Sequence, residues 1–270
     1  MNWIGGSVGI RRQLSVVINS CQLFTIDNSF AKLTKKAHFV AWQTREEIVP
    51  NNASLSQISR DAVEYLMKFA KNCWVFGREE LFKKTITVPG DIVECGVFKG
   101  VSLMQFAKMR EIFCPAAAKK IIGFDTFKLP ELVDVDDQKR MENFFSGCGI
   151  ANGDTINKNE LLDLANEISR VNSVELIEGD ICVEAEKYCK SNPGFRISLL
   201  HLDLDVYQPT LAALKAFWPR ISRGGIVIFD EYALSSWTES GAVDEYFKNE
   251  EVVLETIPWV RTPTAYLIKK

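Results

Sequence analysis

The sequence predicts an α/β protein built on a doubly wound sheet of mostly parallel strands. From Pro89-Gly90 onward, short apolar runs alternate with segments of helical periodicity, which is the pattern of strands linked by crossover helices. Several of these runs are apolar throughout, as expected of parallel strands buried on both faces. The last two runs are joined by a short connection without a helix. We therefore predict a seven-stranded sheet whose C-terminal strand is antiparallel to its neighbour.

The expected elements follow one another along the chain. A helix is expected over residues 56–84, because apolar residues recur there at helical spacing: Ile58, Ala62, Tyr65, Leu66 and Phe69. The expected strands lie in the runs DIVECGV, KIIGFDTF, VELIEGD, RISLLHLDLD, GGIVIFDEY, EVVLETI and TAYLIKK. The expected helices between them lie in SLMQFAKMREIF, LLDLANEIS, VEAEKYCKS, TLAALKAFWP and AVDEYFKN. A polar insertion from Lys128 to about Asn159 is expected above the carboxyl edge of the sheet, where loops form substrate walls.

Length and composition limit the domain organisation. The chain has 270 residues, and a domain usually has roughly 100 to 200. Its hydrophobic fraction of 47% and charged fraction of 25% are those of a globular protein, which excludes general disorder. We predict one α/β domain over residues 76–270. A helical extension over residues 1–75 is expected to form a lid or an oligomer contact, and we expect a homo-oligomer.

Charge and cysteine content point to a cytoplasmic protein without nucleic-acid or membrane partners. A net charge of −3 does not attract the anionic backbone of a nucleic acid or an anionic lipid surface. No run approaches the roughly 20 apolar residues that a membrane-spanning helix needs. The seven cysteines form no C-x-x-C pair, which fits reduced thiols.

The first strand leads into a glycine-rich turn, with a sequence that runs from Glu94 through Gly96 and Val97 to Gly100, and Ser102 opens the next helix. Glycines at such a turn let a ligand approach the backbone, and the helix N-terminus presents free N–H groups. The full G-x-G-x-x-G fingerprint of dinucleotide-binding proteins is missing, which disfavours an NAD-linked enzyme. The glycines are also compatible with a tight turn and nothing more.

Acidic residues end the next two strands. Asp125 follows the second strand, where doubly wound proteins place an acid that accepts hydrogen bonds from ribose hydroxyls. Asp180 follows the third strand, where the ligand crevice opens. A solvated strand end is the alternative for each residue alone.

More carboxylates follow the fourth and fifth strands. Asp203 and Asp205 would share one face if the fourth strand extends that far, and Asp230 and Glu231 end the fifth strand. Clustered carboxylates repel one another unless a cation or proton compensates them. Oxygen ligands without a nearby His or Cys favour Mg²⁺, or Mn²⁺ or Ca²⁺, over zinc. The alternative is that Asp205 caps the next helix and Glu231 is merely exposed.

Other polar and aromatic residues allow two interpretations. His201 lies inside an apolar strand, where a hydrogen-bonded core residue is more common than a catalytic base. Trp74, Phe76, Arg78 and Trp237 are able either to contact a sugar, a base or a diphosphate or to serve packing alone.

Several motifs together resemble the macrocin O-methyltransferase family, whose members methylate sugar hydroxyls in macrolide biosynthesis and related pathways. They are VPGDIVECGVFKG, GFDTF, LLHLDLDVYQPTLAALKAFWPRISRGGIVIFDEY and AVDEYF, and the resemblance covers about residues 75–270. It implies a Rossmann-like class I methyltransferase fold that uses S-adenosylmethionine and Mg²⁺. Residues 76–270 would then be the methyltransferase domain.

The resemblance also implies roles for individual residues. The cofactor would be lined by Glu94, Gly96, Val97, Gly100 and Ser102. Asp125 would bind the ribose diol, and Asp180 would lie near the adenine. The metal ligands would be Asp203, Asp230 and Glu231, and Asp203 would be the catalytic base. Two departures from the family pattern stand out, because this chain has Val101 where a second Gly is common and Glu231 where a second Asp is common.

The function expected from this resemblance is metal-dependent methyl transfer to a sugar hydroxyl of a glycosylated natural product or a nucleotide-linked hexose. One alternative is a catechol-type O-methyltransferase with the same metal chemistry. Another is a binding protein that keeps the fold without turnover.

Overall fold

The computed structural model describes residues 74–114, 119–151, 157–168 and 173–270. Seven α-helices lie in this part of the chain: α1 (Trp74–Lys84), α2 (Val101–Phe113), α3 (Val135–Gly147), α4 (Lys158–Ile168), α5 (Ile181–Ser191), α6 (Tyr207–Phe217) and α7 (Glu239–Phe247). Six strands accompany them: β1 (Asp91–Cys95), β2 (Ile121–Asp125), β3 (Val174–Glu178), β4 (Ile197–Leu202), β5 (Ile221–Phe229) and β6 (Ala265–Ile268). A short 3₁₀ turn, Trp218–Arg220, follows α6.

The strands form one mixed sheet in the order β3-β2-β1-β4-β5-β6. The first five are parallel, and β6 pairs antiparallel with β5. Their apolar composition fits this arrangement, since every residue of β4 is buried. The parallel sheet and its antiparallel C-terminal strand are therefore confirmed.

One face of the sheet carries a large hydrophobic core. Alternate strand residues such as Val93, Leu200 and Val227 are fully buried there against apolar residues of α5, α6 and α7. On the opposite face the ring of Phe106 from α2 lies edge-on to His201 of β4, with centroids 5.6 Å apart. Side chains alternate between the two faces along a strand. Polar residues on the second face, such as His201, are thus covered by α2.

Two predictions about the elements need correction. The predicted strand EVVLETI forms only an isolated antiparallel bridge between Glu255 and Tyr266, so the described sheet has six strands and not seven. The predicted polar insertion contains the helix α3, whose N-terminus is capped by the Asp134 carboxylate. Of the helix predicted over residues 56–84, the described part is α1, and the extension over residues 1–75 lies almost wholly outside the described residues.

The parallel arrangement brings the carboxyl ends of β1 to β5 to one edge of the sheet. Ligands of open α/β sheets bind outside this edge. No helix among the described residues is long and apolar enough to cross a membrane.

Candidate active site

A cavity of about 1150 Å³ opens at the carboxyl edge of the sheet. A second cavity of about 190 Å³ adjoins it, since Phe98 and Asp203 line both. Ligand sites commonly have volumes of roughly 300–1,000 Å³. The larger cavity therefore has room for a cofactor together with an acceptor.

The glycine-rich turn after β1 lies between the two cavities. Gly96 lines the larger cavity, and Val97 and Ser102 line the smaller one. Gly96 has φ +89°, and an added Cβ would lie 1.8 Å from the Asp203 carbonyl oxygen. Only glycine permits this approach of the turn to the end of β4. Gly100 has φ +80° and packs against Leu161, so its role in the structure is to form the turn.

Glu94 lies away from both cavities. Its side chain is completely buried, and its carboxylate accepts a 2.9 Å hydrogen bond from Nδ1 of His201, its register partner on β4. Glu94 precedes the end of β1, and its side chain shares with His201 the face that α2 covers. Glu94 thus lines neither cavity, and the direct cofactor binding expected of it from the motif stays a prediction.

The Asp125 carboxylate is held by the backbone of two loops. It accepts a 2.7 Å hydrogen bond from the Phe98 N–H and a 2.6 Å bond from the Phe127 N–H. Burial raises the pKa of Asp125, although these hydrogen bonds act in the opposite direction. Asp125 lines the larger cavity, so its oxygens are presented to a ligand from a fixed position.

Asp180 is the N-cap of α5. Its side chain accepts a 2.9 Å hydrogen bond from the Cys182 N–H, and the residue lines the same cavity as Asp125. The structure thus brings Asp180 to the cavity and gives it a helix-capping role as well.

Four carboxylates follow β4 and β5, and we call Asp203, Asp205, Asp230 and Glu231 the carboxylate cluster. Carboxylate oxygens of Asp203, Asp205 and Glu231 lie within 4.8 Å of one another. Strand β4 ends at Leu202, so Asp203 and Asp205 lie in the loop that follows it. Asp205 has φ +65°, a left-handed conformation that Asp tolerates better than most residues. Val206, not Asp205, is the N-cap of α6.

Asp230 makes different contacts from the other three. Its Oδ1 atom accepts a 2.8 Å hydrogen bond from Nη2 of Arg78 and a 3.2 Å bond from Nε2 of His201. Burial alone would raise the pKa of Asp230, but the pair with Arg78 and the bonds with His201 lower it to about 2. Asp230 is therefore an anion with two cationic partners. His201 is the hydrogen-bonded core residue that its apolar strand predicted.

The remaining carboxylates are less well compensated. Burial and Asp230 raise the pKa of Asp203 by more than His201 and Arg78 lower it. Burial raises the pKa values of Asp203 and Glu231, and the neighbouring carboxylates add to the effect. Burial and Asp230 raise the pKa of Asp205 to about 7. Among the described residues, no partner donates a hydrogen bond to the buried Oε2 atom of Glu231.

This donor set fits a hard divalent cation. Buried carboxylates need a cation or protons to offset their repulsion, and oxygen ligands suit Mg²⁺. The extra methylene of Glu231 does not remove its carboxylate from the cluster.

Helix α3 of the insertion forms one wall of the larger cavity. Asp137, Met141, Phe144 and Phe145 of this helix line it, together with Trp237 from the loop after β5. The Phe144 ring lies edge-on to the Trp237 ring, with centroids 5.8 Å apart. The wall is thus partly aromatic.

A hydrogen-bonded link joins α3 to the loops that carry the cluster. The Thr238 hydroxyl donates to the Asp137 carboxylate at 2.9 Å and accepts a 2.8 Å bond from the Tyr207 N–H. The Thr238 N–H donates to the Asp205 carbonyl oxygen at 3.1 Å. Thr238 therefore connects the cavity wall to the backbone of the carboxylate cluster.

Several of these residues carry weak sequence signals or none. The sequence indicates Arg78 only as a ligand contact or a packing residue, and its pairing with Asp230 joins residues 152 positions apart. Sequence reasoning missed Glu239, which is fully buried and accepts a 3.2 Å hydrogen bond from the Glu231 N–H. The side chains of Trp74 and Phe76 lie outside the described residues.

Comparison with known proteins decides the family. A model of the macrocin O-methyltransferase family (TylF) matches residues 79–269. This chain belongs to the macrocin O-methyltransferase family. The resemblance carried by its motifs is thereby confirmed.

A curated relative of this macrocin O-methyltransferase family member is the 8-demethyl-8-(2,3-dimethoxy-alpha-L-rhamnosyl)-tetracenomycin-C 4'-O-methyltransferase of Streptomyces olivaceus, which is 29% identical over 170 residues. The alignment covers 59% of this chain and 58% of that relative. The chain thus matches less than two thirds of the relative's length.

Two solved structures share the fold. The calicheamicin methyltransferase CalS11 has a TM-score of 0.61 at 24% identity, covering 91% of this chain and 94% of that chain. The O-methyltransferase NovP has a TM-score of 0.59 at 20% identity, covering 73% and 79%. CalS11 is described as a TDP-rhamnose 3'-O-methyltransferase of calicheamicin biosynthesis. The α/β methyltransferase fold expected from the sequence is confirmed.

Proposed function

We propose that this protein is a metal-dependent O-methyltransferase. It moves the methyl group of S-adenosylmethionine to a sugar hydroxyl of a glycosylated natural product or a nucleotide-linked hexose. The observation that carries the proposal is the carboxylate cluster beside a cavity of about 1150 Å³, in a chain of this family.

The cofactor would lie along the carboxyl ends of β1, β2 and β3. Gly96, Val97 and Ser102 would surround its methionine end, because they line the two adjoining cavities. Asp125 would accept hydrogen bonds from the ribose hydroxyls. Each of its oxygens already accepts one N–H, and a carboxylate oxygen has capacity for a second bond. Asp180 would lie near the adenine.

Asp203, Asp230 and Glu231 would hold Mg²⁺. Asp205 is a further candidate ligand, because one of its carboxylate oxygens lies within 4.8 Å of those of Asp203 and Glu231. Arg78 and His201 both donate to Oδ1 of Asp230, and its other oxygen would be the ligand atom. Bound there, Mg²⁺ would lower the pKa of an acceptor hydroxyl and help to orient it.

Asp203 would act as the general base. It lines both cavities, and its side chain is 29% exposed, so an acceptor hydroxyl has access to it. The hydroxyl oxygen attacks the sulfonium methyl in line, the S–C bond breaks as the O–C bond forms, and the hydroxyl proton passes to Asp203. The remaining contribution of the protein is to position the two reactants.

The acceptor would lie between the carboxylate cluster and the wall formed by α3. Phe144 and Trp237 offer apolar ring surface there, and the cluster offers charge. A sugar with a polar face and an apolar face or substituent suits such a site. The names of the rhamnose-modifying relatives support a deoxysugar acceptor.

A methyl-transfer assay tests this function. The enzyme is incubated with S-adenosylmethionine, Mg²⁺ and one of three acceptors: a rhamnosylated aromatic polyketide, TDP-rhamnose or catechol. We expect S-adenosylhomocysteine and a singly methylated sugar with one of the rhamnosyl acceptors. Methylation of catechol alone would favour the catechol-type alternative. If calorimetry detects no binding of S-adenosylhomocysteine, the chain is a non-catalytic relative.

A further inference from the structure

We propose that Arg78 is a positioning residue that holds Asp230 in the orientation needed to bind the divalent cation. The inference rests on the proposed function, because it assumes that Asp230 is a metal ligand. Arg78 immediately precedes the segment matched by the family model, which begins at residue 79.

Arg78 reaches the carboxylate cluster from α1. Its Nη2 atom lies 2.8 Å from Oδ1 of Asp230 and 4.0 Å from Oδ2 of Asp203. The Arg78 side chain is 5% exposed and that of Asp230 is 8% exposed, so the pair is shielded from water. Shielding makes a charge-assisted hydrogen bond stronger and its geometry more restrictive.

Asp230 is restrained from a second direction by His201. The imidazole donates from Nε2 to Asp230 and is itself fixed through Nδ1 by Glu94. The side chains of Glu94 and His201 are completely buried. Four charged or polar groups thus form one buried chain from Glu94 through His201 and Asp230 to Arg78.

The positive charge of Arg78, considered alone, is unfavourable for binding a cation nearby. A guanidinium beside a cation site repels the cation, which lowers metal affinity unless the geometry it provides is worth more. Partners that orient metal ligands typically change metal affinity by about 10- to 100-fold when they are removed. Because Arg78 and His201 converge on the same Asp230 oxygen, the other oxygen keeps a defined direction.

Direct Mn²⁺ binding separates positioning from simple charge balance. Mn²⁺ affinity is measured by electron paramagnetic resonance on the full chain without cofactor, so the readout does not depend on turnover. We expect Arg78→Met to weaken Mn²⁺ binding about tenfold. Arg78→Lys keeps the charge without the planar fork, and we expect an intermediate loss.

Arg110→Met is the matched control. The Arg110 side chain is also 5% exposed and donates a 2.8 Å hydrogen bond to the Lys119 carbonyl oxygen, so its removal also takes away a buried guanidinium. We expect its Mn²⁺ affinity to equal that of the wild type.

Each outcome has one meaning. Unchanged or tighter Mn²⁺ binding by Arg78→Met overturns the positioning role, and tighter binding shows that Arg78 only balances charge. If Arg78→Met does not fold, unchanged binding by Arg78→Lys overturns it. Equal losses in the Arg78→Met and Arg110→Met variants also overturn it, because they indicate general destabilisation. If the wild type binds no Mn²⁺, the metal part of the proposed function fails first, and this inference fails with it.

Discussion

Asp203 combines, at the scale of single residues, the features that the proposed chemistry needs. It lies at the end of β4, lines both cavities, and shares a carboxylate environment with Asp205 and Glu231. The approach of Gly96 to its carbonyl oxygen fixes its backbone against the glycine-rich turn after β1.

Replacing Asp203 with Ala should reduce kcat for methyl transfer by at least about 100-fold, because the proposed general base and a proposed metal ligand are lost together. Asp163→Ala, at an exposed acid on α4, is the control and should retain activity. Steady-state rates at saturating S-adenosylmethionine and Mg²⁺ provide the measurement. An Asp203→Ala enzyme as fast as the control would remove this residue from the mechanism.

Gly96→Ala should destabilise the protein by about 3 kcal/mol or more, because the new methyl group would overlap the Asp203 carbonyl oxygen at a positive φ. Gly194→Ala is the control, since no atom lies within 4 Å of its added Cβ. Urea unfolding of both variants measures the difference. Equal stabilities would show that the turn and β4 are not as close as described.

Residue types and strand ends were sufficient to predict most of the acids at the cavity, including Asp125, Asp180 and Asp203. Two features depend on three-dimensional arrangement and were not predictable. Glu94 matched a motif, but strand alternation turned it toward His201. Arg78 pairs with Asp230 across 152 positions, a contact that no local pattern encodes.

At the scale of elements, the order of strands and helices was predictable because their hydrophobic periods differ. The helix α3 was not, since acidic and polar residues dominate its sequence and only Met141 and Phe145 are buried among its apolar residues. EVVLETI looked like a strand, but only Glu255 forms a bridge with the edge strand. Pairing at a sheet edge is decided by tertiary contacts more than by composition.

The wall formed by α3 is expected to contribute to acceptor binding through Phe144. Phe144→Ala should raise KM for the sugar acceptor about tenfold, because the ring is 37% exposed at the cavity and supplies apolar contact area. KM for S-adenosylmethionine should stay close to that of the wild type. Val135→Ala on the same helix is the control, since Val135 is exposed and does not line the cavity. Equal KM values for the two variants would place the acceptor elsewhere.

At the scale of the whole molecule, the incompletely compensated carboxylates are expected to link the free energy of unfolding to pH and to metal binding. Burial raises the pKa values of Asp203, Glu231 and Glu239 above their ordinary range, with neighbouring carboxylates adding to it. Burial lowers the pKa of His201, but hydrogen bonds to Asp230 and Glu94 outweigh it and raise the pKa to about 9. The folded state therefore binds protons more tightly than the unfolded state at these groups.

Stability from these groups is present at low pH and is lost as pH rises, because all four folded pKa values are raised. Without metal, we expect the free energy of unfolding to fall between pH 5.5 and pH 8, by about 1.4 kcal/mol per pH unit for each net proton. Mg²⁺ should reduce this slope by compensating the carboxylates. Asp230, with its lowered pKa, contributes the opposite slope only in acid.

Urea unfolding at several pH values in EDTA and in Mg²⁺ checks this linkage. A free energy of unfolding that stays constant or increases with pH in EDTA would contradict the assigned charge states.

The dependence of methyl transfer on a divalent cation is the most direct test of the proposed metal site. Turnover of a rhamnosyl acceptor is measured in Mg²⁺, then in EDTA, and again after Mg²⁺ is restored in excess. The carboxylate cluster predicts that EDTA abolishes turnover and that Mg²⁺ recovers it. Full activity in EDTA would contradict the claim that these carboxylates hold a catalytic cation.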